Sequence, residues 1–342
     1  MELQLAFIGF GNVARSFARI LGEHHNEVGD QYGLRWKTTA IATGHHGCIT
    51  SVEGIDLLQA ASCVERGSNL AEVPGTVSIP DPHTLTQICN ADILFETTPL
   101  NVENGEPAIT IIRRALARGI HVITANKGPI AFAYSELRSL ALERRVKFLF
   151  EGTVMDGTPV FNMVERCLPG ARVLAFGGVL NSTTNLILTG METGHSVEES
   201  LAEAQRRGIA EANPAYDIDG WDAAVKAVAL ANVLMEAEAR PSEVAREGIG
   251  KITTADLRAA AKAGNVIRLI ARGKRSTNGV MLTVAPESVP LNSALGSVRG
   301  TSNVLVLQTD LMGEIAIVEN DPGIEQTAYA LLSDLLRIHS NL

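Results

Sequence analysis

Lys226 occupies a helical stretch that offers it no wet face. From Trp221 to Met235 the chain reads WDAAVKAVALANVLM, in which Asp222, Lys226 and Asn232 are the only polar side chains. The helical neighbours of Lys226 are Ala223, Ala229, Leu230 and Val233, with Asp222 the single carboxylate among them. A helix apolar on nearly every side is buried, and lysine is almost never fully buried without a partner. On a solvated face an i,i+4 Asp–Lys pair would be worth only about 0.2–0.5 kcal/mol. Here the alanines, valines and leucines leave no solvated stripe for it. Just upstream, GIAEANPAYDIDG brings Glu211, Asp217 and Asp219 to the same neighbourhood. Desolvation lowers the proton affinity of an ammonium and a neighbouring carboxylate restores it. That balance suits a group exchanging a proton near neutral pH. Lys226 is therefore the candidate acid/base and Asp222 its partner.

A second chemical signal lies near the N-terminus. Gly9-Phe10-Gly11-Asn12-Val13-Ala14 matches G-x-G-x-x-G/A between an apolar run and an amphipathic stretch. Gly9 permits a tight turn, Gly11 lets a pyrophosphate approach the backbone, and Ala14 allows close helix–strand packing. Asn12 and Val13 open the helix whose N-terminus meets the phosphates. This predicts dinucleotide binding. The next strand ends Thr43-Gly44-His45-His46, with no carboxylate for a ribose 2′-hydroxyl, which tilts the choice toward NADP over NAD. The arginine usual for a 2′-phosphate is also missing from this turn, so the tilt is slight.

These residues need a frame. LQLAFIG (Leu3–Gly9), KTTAIAT (Lys37–Thr43), ADILFETTP (Ala91–Pro99), HVITANK (His121–Lys127) and KFLFEG (Lys147–Gly152) read as strands. Helical patterns separate them: Val13–Leu21, a helix from the Asp81-Pro82 cap toward Cys89, Ala108–Arg118 ending at Gly119, and Ser135–Arg144 after a loop following Lys127. Alternating apolar strands and helices predict an α/β fold, a Rossmann-type doubly wound parallel sheet. Ligands then bind beyond the strands' carboxyl ends, where Thr97, Thr98 and Lys127 lie. Farther on, SVEESLAEAQRRG carries a capping box from Ser196 to Glu199 and stops at Gly208. Runs near 266–273, 280–286 and 303–320 alternate like antiparallel strands, and Glu325–Ile338 is a last helix packing back on the first domain. The expected division is 1–150 with 320–342 for the dinucleotide, and 151–319 as an α+β substrate-binding and dimerisation domain.

Bulk composition narrows the class. The 342 residues are 46% hydrophobic and 20% charged, as in ordinary globular chains. A net charge of -9 without a basic block argues against a nucleic-acid partner. Four scattered cysteines without metal spacing suit reduced thiols in the cytoplasm. No apolar run reaches membrane-spanning length and no signal peptide is expected.

Gly105-Glu106-Pro107-Ala108, HVITANKGP (His121–Pro129), EGTVMDGTP (Glu151–Pro159), NSTTNLIL (Asn181–Leu188) and AEANPAYDIDGWDAAVK (Ala210–Lys226) stand in this order. Together they resemble homoserine dehydrogenase over most of the chain. The resemblance implies hydride transfer between a nicotinamide cofactor and homoserine or aspartate semialdehyde. It implies Lys226 and Asp222 as the catalytic pair, with Lys127 between cofactor and substrate. Glu211 would bind the substrate ammonium, and Asp217 and the Thr183 loop would complete the pocket. A monovalent cation, Na+ or K+, is implied at the loop of Glu151, Val154 and Asp156. A homodimer is implied as well.

Four positions depart from the pattern. Ile209 stands for a common tyrosine, Ser182 for a glycine, and Asp156 for a small residue. Glu319-Asn320-Asp321-Pro322-Gly323 replaces a glycine-rich turn, leaving Gly323 as its cofactor contact. No appended regulatory domain is expected. Two rival readings follow from these departures, a dehydrogenase of another small hydroxy or amino acid and a non-catalytic NADP(H) sensor.

Overall fold

Leu3, Leu5, Phe7 and Ile8 are all buried in β1 (Glu2–Ile8), the continuous apolar run that a strand covered on both faces requires. The structure, a computed structural model, describes residues 2–207, 209–210 and 213–340. Beside β1 lies β2 (Arg35–Ala42) in parallel register, followed outward by β3 (Cys48–Thr50) and β4 (Val77–Ile79). On the other flank β5 (Ile93–Glu96), β6 (His121–Thr124) and β7 (Phe148–Leu149) all run parallel. The sheet order is β4-β3-β2-β1-β5-β6-β7. The parallel core matches the sequence expectation, but its edge does not. β3 pairs antiparallel with both neighbours, and three-residue strands such as CIT and VSI are too short to show a period.

Aromatic packing fixes the centre of this sheet. Phe7 stacks on Phe95 at 4.9 Å between centroids, and Phe17 reaches Phe95 at the same distance. Phe17 comes from the Asn12–Glu23 helix, whose buried residues Ala14, Phe17, Ala18 and Leu21 recur at helical spacing. The Ile324–His339 helix adds Ala328, Leu331, Leu335 and Ile338 to the same core. Asp81 caps the Pro82–Ile88 helix by accepting from Thr84 N at 2.8 Å, as its sequence predicts. One boundary moves. The helix expected from Ser135 begins at Lys127, capped by Asn126 Oδ1 on Gly128 N at 3.0 Å. Pro129 lies in its first turn, where no N–H is needed, and a non-helical Ala133 lets the helix resume.

The second sheet is built around β8 (Val173–Val179), which, like β9 (Ala245–Arg246), the sequence does not announce. Gly177 and Gly178 weaken the strand signal in β8. β10 (Asn265–Ser276) and β11 (Gly279–Pro290), twelve residues each, form an antiparallel hairpin. β12 (Asn303–Thr309) and β13 (Glu314–Glu319) form another, giving the order β13-β12-β8-β10-β11-β9. The Trp221–Leu234 helix packs on β10 and β11. The Ser196–Glu199 capping box is present, with both hydrogen bonds made; Gly208, the expected stop, lies outside the described residues.

The chain divides into two units, one of Met1–Pro129, Ala133–Pro159 and Gly323–Leu342, the other of Ile130–Phe132 and Val160–Pro322. Among the described residues no helix is long and apolar enough to cross a membrane.

Candidate active site

In the first unit the strand ends converge on the glycine turn. Gly9 has φ +87, and a Cβ there would lie 2.6 Å from the Thr97 carbonyl carbon and from Thr98 N. Gly9 therefore makes a tight turn, as expected, and packs it directly against the end of β5. A Cβ on Gly11, in contrast, would meet nothing within 4 Å, leaving open space at the helix N-terminus. Arg15, which the sequence reading passed over, braces the turn through Phe10 O at 3.0 Å and Asn12 Oδ1 at 2.7 Å. A cavity of about 970 Å³ opens beside Gly9 and is lined also by Thr43, Gly44, Asp81, Thr98, Leu100 and Ile111. Its mixed apolar and polar wall, next to an exposed helix N-terminus, fits an adenosine with its phosphates.

Thr97 and Thr98 both donate inward. The Thr97 hydroxyl donates to Gly9 O, and the Thr98 hydroxyl and N–H donate to Glu96. Glu96 is fully buried and also accepts from Thr124 Oγ1 at 2.7 Å. Thr124 Oγ1 in turn accepts from Asn126 N, and Asn126 Nδ2 donates to Thr98 O at 3.1 Å. One carboxylate thus ties the ends of β5 and β6 to the cap of the helix that starts at half-buried Lys127. The sequence hid Glu96 because it closes a short apolar strand and its partner Thr124 lies on another strand.

Burial pushes the Glu96 carboxyl pKa up, against the threonine hydrogen bonds that pull it down. A raised folded value means the native state keeps a proton that the unfolded chain releases above roughly pH 4.3. Stability then falls as pH rises from there toward the folded pKa. Glu96→Gln has no such proton. Its urea midpoint, relative to the parent, is expected to rise as pH increases above the ordinary carboxylate range of roughly 4.3; a pH-independent difference would refute this.

The loop after β7 is pinned to the last helix of the same unit. Glu151 and Val154 are buried, and Glu151 N donates to Asp334 Oδ2 at 3.0 Å. Asp156, at φ +43, accepts from Thr327 Oγ1 at 2.8 Å, so its carboxylate anchors this loop. No group of three or more His, Cys, Asp or Glu side chains able to hold a metal occurs among the described residues. Gly323 N donates to Gln326 Oε1 at 3.0 Å, capping the Ile324–His339 helix.

In the second unit Lys226 is held out of water, with 14% of its side chain exposed against 10% for Asp222. Its Nζ donates to Leu180 O at 2.6 Å and lies 3.4 Å from Asp222 Oδ2. Leu180 follows β8, and the next residue, Asn181, caps the Ser182–Glu192 helix through Thr184 N at 2.8 Å. Asn181 Nδ2 then bridges Asp222 Oδ2 at 3.0 Å and Asp217 Oδ1 at 2.7 Å. Burial first, then the Asp222 charge, push the Asp217 pKa up, while Asn181, Thr183 and Lys226 pull it down. Thr183 Oγ1 also donates to Ile209 O at 3.3 Å.

Lys226, Asp222, Asp217 and Thr183 are therefore brought together. Asn181 and the Leu180 carbonyl join them without having been singled out, since caps and backbone acceptors carry no chemical signature of their own. Tyr216 is a further omission; its buried hydroxyl has no partner among the described groups, and burial and the two aspartates push its pKa up. Asn232, the third polar residue of the helix, serves structure through Ala239 N and O and Ile130 O. Glu211 lies outside the described residues. Among the described residues Asp217 and Asp222 both act on the Lys226 ammonium.

Residues 9–151 match the model of the homoserine dehydrogenase NAD-binding domain, and residues 159–336 match that of homoserine dehydrogenase itself. The NAD(+)-dependent homoserine dehydrogenase of Pseudomonas canavaninivorans is 34% identical, the alignment spanning 99% of this chain and 97% of that one. The crystal structure of a putative homoserine dehydrogenase from Archaeoglobus fulgidus superposes with a TM-score of 0.87 at 33% identity, covering 98% of this chain and 99% of the other. A hyperthermophilic archaeal homoserine dehydrogenase in complex with NADPH gives 0.84 at 29% identity, covering 100% and 99%.

Proposed function

The chain belongs to the homoserine dehydrogenase family, and on that premise we propose which of its residues interconvert L-homoserine and L-aspartate 4-semialdehyde. The bound nicotinamide dinucleotide supplies or accepts the hydride. Lys226 handles the proton: as ammonium it protonates the carbonyl oxygen during reduction, and as amine it takes the hydroxyl proton during oxidation. Asp222, 3.4 Å away, is its charge partner, and the Leu180 carbonyl fixes its direction. The observation that carries this reading is a lysine with 14% exposure whose only neighbouring charge partner on its helix is Asp222.

The substrate's own ammonium answers the excess of carboxylate. That cation is assigned to Glu211, with Thr183 and Asp217, whose proton affinity burial raises, completing the pocket. Lys127, at the head of its helix beside the Glu96 network, meets the cofactor and the carbonyl end of the substrate. Gly9, Gly11, Asn12, Val13 and Ala14 hold the dinucleotide phosphates, with Thr97 and Thr98 shaping the turn and Gly323 closing it. A monovalent cation, Na+ or K+, is proposed at the Glu151–Asp156 loop. The six-stranded sheet, whose edge leaves Val318 exposed and whose last turn leaves Leu311 and Met312 exposed, supports a homodimer. Free cysteines, three of them buried, support a cytoplasmic setting. The expectation of NADP rests on the bare turn after β2, and the relatives include both an NAD(+)-dependent enzyme and an NADPH complex.

The test is direct. Purified protein, given homoserine and either oxidised dinucleotide, is expected to form the reduced nucleotide, with other small hydroxy and amino alcohols at least about tenfold poorer in kcat/KM. Equal turnover of an unrelated alcohol would overturn the substrate assignment.

A further inference from the structure

We propose that Asp81 supplies the carboxylate that the end of β2 lacks, accepting a hydrogen bond from the adenosine ribose and so favouring NAD(H) over NADP(H). The inference rests on the dinucleotide reading above and deepens it, reversing the slight tilt toward NADP drawn from the bare end of β2. Its basis is topological first. β3 runs antiparallel to β2, and β4 antiparallel to β3, so β4 runs parallel to β2. The carboxyl end of β4 therefore reaches the same sheet edge as the glycine turn. Ala42, Cys48 and Ile79 pair in one row across these strands, and Asp81 follows Ile79 by two residues. Its charge is felt at Cys48, the residue paired with the end of β2.

The cavity gives the second basis. Asp81 lines the same space as Gly9, Thr43 and Gly44, the positions that bracket the ribose in this fold. Thr84 N and Thr84 Oγ1 hold one oxygen each, at 2.8 and 2.9 Å. A carboxylate has about four acceptor sites, so both oxygens keep capacity for a ribose diol. The same Thr84 hydrogen bonds hold its pKa below the usual carboxylate range, so it faces the cavity as an anion.

The remaining charges agree. Glu103 and Glu106 also line the cavity, against a single guanidinium, Arg114, whose Nη1 is directed at His83 Nδ1. Three carboxylates and one guanidinium make a poor seat for a phosphate monoester carrying about -1.5 to -2 charge. A ribose hydroxyl pair, neutral and able to donate, suits it.

The experiment compares kcat/KM for NADH and NADPH in the parent and in Asp81→Asn. Asparagine caps a helix as well as aspartate does, so the melting temperature should hold while the charge is lost. The parent is expected to prefer NADH by about tenfold or more, and the asparagine variant to lose at least about fivefold of that preference. A parent that prefers NADPH, or a ratio unchanged in the variant, overturns the inference. Calorimetry on the parent alone provides a reading free of folding effects. ADP should bind more tightly than 2′,5′-ADP, and the reverse order overturns the inference too. Turnover with neither nucleotide would instead overturn the enzyme reading on which it rests.

Discussion

Replacing Lys226 by alanine is expected to lower kcat by about 10²–10⁴-fold, the usual worth of a positioned proton donor, with dinucleotide affinity nearly unchanged. The separation follows from where the residue sits. Lys226 belongs to the unit of Val160–Pro322, whereas the glycine turn and its cavity belong to the unit containing β1. Truncation leaves Asp222 with Asn181 as its described side-chain partner and a Leu180 carbonyl without its donor. Some stability will therefore be lost, of order 1–3 kcal/mol. Dinucleotide binding, followed by fluorescence, shows whether the protein remains folded while steady-state turnover is read. Undiminished turnover would remove Lys226 from the mechanism.

Gly9→Ala should cost the first unit both its nucleotide and much of its stability. At φ +87 an L-residue carries a penalty of about 1–2 kcal/mol. The new methyl also lies 2.6 Å from the backbone of Thr97 and Thr98, closer than atoms can sit. Backbone cannot swing aside as a side chain does, so the ends of β1 and β5 must part, adding about 1–3 kcal/mol of overpacking strain. The Thr97 hydroxyl bond to Gly9 O and the Thr98 bonds to Glu96 would be disturbed together. Gly11→Ala provides the contrast. Its methyl would meet no protein atom within 4 Å, so the melting temperature should hold while dinucleotide KM rises by about tenfold. Were both variants to bind cofactor normally, the turn would be a structural loop and nothing more.

Much of this was legible from residue types because the signals are local. The Gly9–Ala14 fingerprint, the Asp81-Pro82 helix start and the Ser196–Glu199 capping box each need only a few consecutive residues, and each appears where expected. The Lys226–Asp222 pair was legible for another reason: the apolar helix around it leaves no solvent side, and its side chain is 14% exposed. What escaped was short or non-local. β3 and β4 have three residues each, below any readable period. Glu96 gains its meaning from Thr124 and Asn126, nearly thirty residues away. Asp81 was read as a cap and nothing else, because only the sheet order carries it to the edge where β2 ends. The helix at Lys127 was placed late because Pro129 and Ala133 interrupt its pattern, although Asn126 caps it.

The Ile324–His339 helix sets an order on how this chain can mature. It packs Leu331 and Leu335 into the core around Phe7 and Phe95, and its Asp334 and Thr327 tether the loop at Glu151–Asp156. During synthesis that helix emerges after the strands of both sheets. The residues of β1 to β7 must therefore wait, with an unfilled apolar trough, until the whole stretch between Leu149 and Ile324 has left the ribosome. The intervening six-stranded sheet can complete itself in the meantime.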